Sequence, residues 1–211
     1  MSTLSPDALW PLLAQDLQHD EKILWAGQPD PSVLFTKADR ALVPFSLLWG
    51  GFAFFWEATV IWALARGEDR SGNGGNLWFF VVMGAFFVFV GLYFIAGRFI
   101  YKRINKRHTY YAVTDNRVLV LTTLRGRHLT AACIDRIPTV QKSVNAEGLG
   151  TLRFGNARWW LAQYENTGME LLSGGHGDQV PTFHDIRDAN RVYDLVNDLR
   201  RAQERSDQDE P

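Results

Sequence analysis

The chain has one cysteine, Cys133, and so cannot close a disulfide within itself. Nothing in its folded part therefore requires an oxidising compartment. Net charge is nearly absent too, with 22 Lys and Arg against 23 Asp and Glu. Whole-chain electrostatics thus give no reason to expect nucleic acid as a partner. The N-terminus, MSTLSPDALW, has no basic stretch leading into an apolar core, so a cleavable signal peptide is not expected. Ligand spacing is missing as well. His108, His128, His176 and His184 are scattered, none with a second ligand at metal spacing, and neither a metal nor a cofactor is expected. Ser173, His176 and Asp178 lie together in SGGHGDQ. A catalytic triad needs groups converging from separate rigid elements, which a Gly-rich loop tip does not provide. GLGTLRFG lacks both the Lys-Ser/Thr and the following helix of a phosphate loop. Enzymatic chemistry has no foothold in these patterns.

What is present is apolar and aromatic. Aromatic residues make up 13% of the chain, and two long greasy runs stand out, VPFSLLWGGFAFFWEATVIWALA at 43–65 and LWFFVVMGAFFVFVGLYFIAG at 77–97. Each holds roughly twenty residues, which at about 1.5 Å per residue spans a hydrocarbon layer of about 30 Å. Trp49, Trp62, Trp78, Tyr93 and Tyr101 lie toward the ends, as interfacial aromatic belts do. Two core helices of a soluble domain are the alternative, but 211 residues leave too little chain to cover them. The short polar link RGEDRSGNGGN makes the runs an antiparallel hairpin. Lys37, Arg40, Arg98, Lys102, Arg103, Lys106 and Arg107 flank one end, against Arg66 and Arg70 at the other. That asymmetry places both termini in the cytoplasm. The collar Arg98, Lys102, Arg103, Lys106 and Arg107 reads first as a topological anchor. These residues are also candidates to face lipid, at roughly 1 kcal/mol each near an anionic surface. Glu57 is the odd residue of the first run. An acid at mid-membrane costs about 2.5–3.5 kcal/mol on insertion scales. Counting antiparallel depth sets it level with Gly84 and Ala85, where no cation lies. It is either a neutral acid tolerated among aromatics, or an inter-chain hydrogen bond or proton site.

After the collar the pattern changes to strands. TYYAVTDNRVLVLTTLRGRHLTAACI carries turn signals at Asp115-Asn116 and Arg125-Gly126, and predicts a three-strand meander over 109–134. GTLRFG, RWWLAQY and MELLS predict further strands, giving a small barrel or orthogonal sandwich. TFHDIRDANRVYDLVNDLRRAQ has helical spacing, with Ile186, Ala189, Tyr193, Val196 and Leu199 on one face and Thr182 with Asp185 as an acidic capping box. ERSDQDEP is expected to be disordered. Before the membrane, SPDALWPLLAQDLQ predicts a short helix with Ser5 as its cap, and EKILWAGQPDP a short strand. The domain boundaries expected are 1–40 for the N-terminal segment, 41–100 for the hairpin, 108–202 for the strand-rich domain and 203–211 for the tail. Two surface candidates remain. Arg125 and Arg127, with His128, crowd one hairpin tip, and either contact lipid or form a solvated turn. Trp159 and Trp160 are adjacent on a strand, so one must face away from the core as an interaction surface or pack beneath the N-terminal segment.

Together EKILWAGQPD, the paired apolar runs, YYAVTDNRVLVL, GTLRFG and FHDIRDANRVYDLV resemble the bacterial pleckstrin-homology-like (bPH) membrane proteins, over about residues 20–200. Tyr111, Thr114, Asp115 and Arg117 form the most specific part of the match. The resemblance implies a membrane hairpin plus an α+β domain, a PH-like β-barrel of about seven strands capped by a C-terminal helix. It implies no activity, because the family has no agreed one. The expected function is a non-enzymatic interaction module on the cytoplasmic face of the bacterial inner membrane. Its expected partners are membrane lipids and a protein partner or second copy. An anionic head-group sensor, or a small oligomeric transport subunit built around Glu57, are the alternatives.

Overall fold

The structure, a computed structural model, describes residues 6–36, 39–67, 77–145, 148–156, 166–168 and 180–209. It is an α+β protein. Helix α1 (Pro6–Leu13) and strand β1 (Ile23–Gly27) precede the long helix α2 (Asp39–Ala65). Helix α3 (Leu77–Leu92), a π-helical turn (Tyr93–Gly97) and helix α4 (Arg98–Arg107) then run without a break. Strands β2 (Thr109–Thr114), β3 (Arg117–Thr122) and β4 (His128–Cys133) follow, then a 3₁₀ turn (Ile134–Arg136), β5 (Val140–Val144), β6 (Gly150–Phe154), β7 (Thr182–Ile186) and helix α5 (Ala189–Asp209).

Two helical rods, 39–65 and 77–107, are long and apolar enough to cross a membrane, with only 11% of each apolar window covered by the rest of the protein. They meet along a seam of small residues. Ser46, Gly50, Ala53 and Val60 are the covered positions of α2 beyond its first residue, with half-buried Glu57 completing alternate steps of four and three. Gly84 and Gly91 answer from α3. This is the stepping of a left-handed helix pair, and small residues let the backbones approach. A Cβ on Gly91 would lie 3.1 Å from the Gly50 Cα.

The strands form two antiparallel sheets, β1-β2-β3-β4 and β5-β6-β7. They are not closed into a barrel. The expected barrel of about seven strands is instead seven strands in two sheets, because the 3₁₀ turn interrupts the ladder between β4 and β5. The strands expected at RWWLAQY and MELLS lie outside the described residues. Alternation decides which face is inside. Trp25, Tyr111, Val113 and Val118 of the first sheet face Leu152, Phe154, Phe183 and Ile186 of the second. The opposite face of the first sheet, Ala26, Ala112, Leu119 and Leu121, is covered by Leu13 of α1. Tyr111 stacks on Phe183 at 4.6 Å between ring centres, and Phe154 meets the same ring edge-on at 4.8 Å.

Two expectations are corrected here. Thr182 and Asp185 do not cap a helix: they lie in β7, and α5 starts only at Ala189. Asp185 has a left-handed φ of 52°, where β7 slips register against β6 between Gly150 and Leu152. The slip is a bulge that re-aims the side chain. The tail expected to be disordered from 203 continues α5 as far as Asp209. Ala189, Val192 and Val196 of α5 are buried in the core between the sheets, with Tyr193 and Leu199 packed at its margin.

Candidate functional site

The candidate site is the junction where the two long apolar helices join the sheets. β1 comes before the hairpin in sequence yet pairs with β2 after it, from Ile23 opposite Thr114 to Gly27 opposite Tyr111. Both ends of the hairpin are therefore tied into one sheet. Between β1 and α2 the chain crosses the junction as a strap, residues 28–36, with little regular structure.

The collar lies against that strap. Arg98, Lys102 and Lys106 follow one another at helical spacing of four on the inner face of α4, with 1%, 3% and 4% of their surface exposed. They were candidates to face lipid, and the structure corrects this: each is turned inward to an acidic group or a carbonyl. Arg98 donates from Nη1 to Asp39 Oδ1 at 2.7 Å and from Nε to the Phe94 carbonyl at 2.9 Å. Lys102 Nζ donates to the Leu34 carbonyl at 2.6 Å. Lys106 Nζ donates to the Val33 carbonyl at 2.7 Å and to Asp185 Oδ2 at 2.5 Å. Buried cations survive only when paired and hydrogen-bonded, and these three are. Asp39 does a second job. Its Oδ2 accepts from the Thr36 N–H at 2.6 Å and hydroxyl at 2.8 Å, the reach-back half of a capping box at the start of α2.

The strap is also held from the far side. Asp30 accepts from Arg187 Nη2 at 2.7 Å and from the Ser32 N–H and hydroxyl. Burial opposes the Asp30 carboxylate, but Ser32 and Arg187 outweigh it and hold its pKa at about 2. The Asp30 N–H donates to the Asp185 carbonyl at 3.0 Å. A cleft of about 420 Å³ with mixed polar and apolar walls opens beside the strap, between Thr36 and the outer face of the second sheet at Gln141, Ser143, Arg153 and His184. Burial pushes His184 down to about 4, Asp185 pulling the other way and Lys106, Arg153 and Lys102 adding to the fall. Asn166 reaches in to donate to Asp185 Oδ2 at 2.7 Å. Nearby, Tyr93 in the π-helical turn donates its hydroxyl to the Gly168 carbonyl at 2.6 Å. Gly168, at φ 83°, packs so closely on the Arg98 carbonyl that a Cβ there would collide with it.

The remaining candidates are scattered over other surfaces. Arg103 and Arg107 are exposed on the opposite face of α4. Arg125 is exposed with its guanidinium 5.8 Å above the Tyr101 ring. Arg127 turns away from its neighbour and bonds the Leu12 carbonyl and Asp16, pinning α1 to the β3–β4 turn. Trp159 and Trp160 lie outside the described residues, as do Ser173, His176 and Asp178. Glu57 meets Gly84, at the depth expected from antiparallel counting. Its Oε2 is covered and has no hydrogen-bond partner among the described residues.

The Tyr111–Arg117 run proves to be a clamp on β1. Arg117 grips Glu21 with Nε at 3.0 Å and Nη2 at 2.6 Å, and the Thr114 hydroxyl donates to the same carboxylate at 2.7 Å. Burial alone would raise the Glu21 pKa, yet Arg117, Gln18 and Thr114 together lower it. Asp115 Oδ1 accepts from the Lys22 N–H at 3.2 Å. Sequence reasoning missed Asp39 and the strap, and gave Asp185 a different role. The collar's own i, i+4, i+8 spacing was the signal that three of its cations share one face; their carboxylates carried no such mark. Compared with known proteins, the chain matches no family model, no curated protein and no solved structure.

Proposed function

We propose that the chain is a membrane-anchored interaction module, a PH-like domain held on the cytoplasmic face of a bacterial inner membrane by a two-span hairpin, with no catalytic role. One observation carries this reading: the hairpin enters and leaves through a single sheet, β1 beside β2, and Arg98 and Lys106 lock its base to Asp39 and Asp185. A loose tether would do for localisation alone. An ion-paired base fixes the orientation of the domain against the bilayer, which matters when the domain has a surface to present. Two sheets, seven strands and a helix packed against their common core supply the parts a PH-like fold needs, with the sheets left open. The cleft beside the strap is the surface such a module would offer a partner.

A reporter fused to the C-terminus tests the orientation. It should be active in the cytoplasm, and one inserted near Asn73 should be external. For binding, a photo-crosslinking residue at Gln141 in the cleft should give one discrete adduct in native membranes, and one at Asp198 on the exposed face of α5 should give none. Reversed reporters, or identical labelling from both positions, would remove the proposal.

A further inference from the structure

Helix α4 is built inside out. Its inner face carries the buried cations, and its outer face carries Ile100, Arg103, Ile104 and Arg107 at i, i+3, i+4 and i+7. Ile100 is 60% exposed and Ile104 41%. Water would favour the reverse arrangement. A head-group layer favours this one: isoleucines meet acyl carbon while long arginine side chains reach the phosphates. The stripe also continues the exposed apolar surface of α3, where Phe86, Phe89 and Leu92 point outward. Arg125 stands over Tyr101, which brings a third exposed guanidinium to the same level of the helix. Among the described residues, no ion pair occupies Arg103, Arg107 or Arg125.

We propose that this stripe, Ile100, Arg103, Ile104 and Arg107 with Arg125 beside it, is a contact surface for anionic lipid head groups of the leaflet nearest the sheets. The inference rests on the hairpin spanning the bilayer. It narrows the basic collar to its outward arginines and adds the hairpin tip as a third point. The occupant is lipid and not a second protein because the stripe pairs exposed cations with apolar residues in direct continuation of the apolar rods.

The test uses the full chain with Cys133→Ser and Ile104→Cys, labelled at position 104 with a fluorophore and reconstituted in phosphatidylcholine bilayers. Brominated phosphatidylglycerol should quench the label more strongly than brominated phosphatidylcholine at equal content. Each of Arg103→Gln, Arg107→Gln and Arg125→Gln should lower that preference by up to roughly five-fold, and added salt should lower it too. Arg191→Gln, on α5, should leave it unchanged. Equal quenching by both lipids, or a preference that persists in the triple Gln variant, overturns the proposal. Quenching by neither, with the hairpin still resistant to carbonate extraction, means that protein covers the stripe and also overturns it. Loss of carbonate resistance as well would remove the spanning reading beneath it.

Discussion

Asp39 and Arg98 stand 59 positions apart and meet at 2.7 Å, with 2% and 1% of their side chains exposed. The pair joins the first turn of one rod to the start of the α4 part of the other. Asp39→Asn leaves a buried guanidinium without its counter-charge, a loss of about 3–5 kcal/mol. The double variant Asp39→Leu with Arg98→Met should recover much of that, because two apolar groups leave nothing unpaired. Thermal unfolding in detergent of the parent, Asp39→Leu, Arg98→Met and the double variant gives the coupling. If the two single losses simply add in the double variant, the pair is not what holds the base together.

The seam between the rods gives a graded expectation. A methyl at Gly91 meets backbone, the Gly50 Cα at 3.1 Å, and backbone cannot step aside. A methyl at Gly84 meets the end of the Glu57 side chain, which can rotate away. Gly91→Ala should therefore cost about 1–3 kcal/mol and Gly84→Ala less. Glu57→Gln should leave expression and insertion unchanged. Melting in detergent ranks the three, and a Glu57→Gln variant that fails to insert would show that the carboxyl has work of its own.

Acid should loosen the junction in a defined window. The His184 pKa falls from 6.5 in an exposed state to about 4 when folded. A base depressed in this way contributes fully above pH 6.5. Its contribution is lost as the unfolded chain gains the proton first, and the loss ends near pH 4. Discounted for partial exposure, the total is roughly 2 kcal/mol. Asp30 and Glu21, both lowered, act only below the ordinary carboxylate values of 3.8 and 4.5, so of these three groups only His184 contributes a slope between pH 6.5 and 4.5. Unfolding midpoints should fall from pH 7 to pH 5 in the parent and stay flat in His184→Gln. A parallel fall in both would assign the acid sensitivity to another group.

Val196 is wholly buried in the core, whereas Asp198 is exposed and, among the described residues, pairs only at the surface with Arg201 at 3.7 Å. Val196→Asp removes about 1.5–3 kcal/mol of apolar burial and adds a buried carboxylate. Against a domain total of about 5–15 kcal/mol, that should bring the sheets near unfolding. Asp198→Ala should change little. Limited proteolysis in membranes separates the two, and equal resistance would mean that α5 does not hold the sheets together.

Much of this architecture is legible in the chain before any coordinates. The apolar runs give both rods, and alternation with Asp115-Asn116 and Arg125-Gly126 gives β2, β3 and β4 almost to the residue. β5 hides because VQKSV is largely exposed and has no alternating face. β7 hides because Asp185 leaves the extended conformation, so TFHDI merges into the helical spacing that follows. The junction is harder. Three cations spaced by four announce a shared face, but a charged face ordinarily means water. Only the carboxylates of Asp39 and Asp185, brought in from 59 and 79 positions away, turn it inward. Pairings at that separation leave no periodic trace in one sequence.

The placement of β1 also orders events during synthesis. The strand emerges early, and its partner β2 emerges only after both rods have been made. Closing so long a loop between two strands in water is a slow, entropically costly search. If, as proposed, the rods first sit side by side in a bilayer, their two ends emerge close together and the loop is already closed. On this chain, insertion should come first and the sheet second, with the membrane acting as the template that sets the two strands edge to edge.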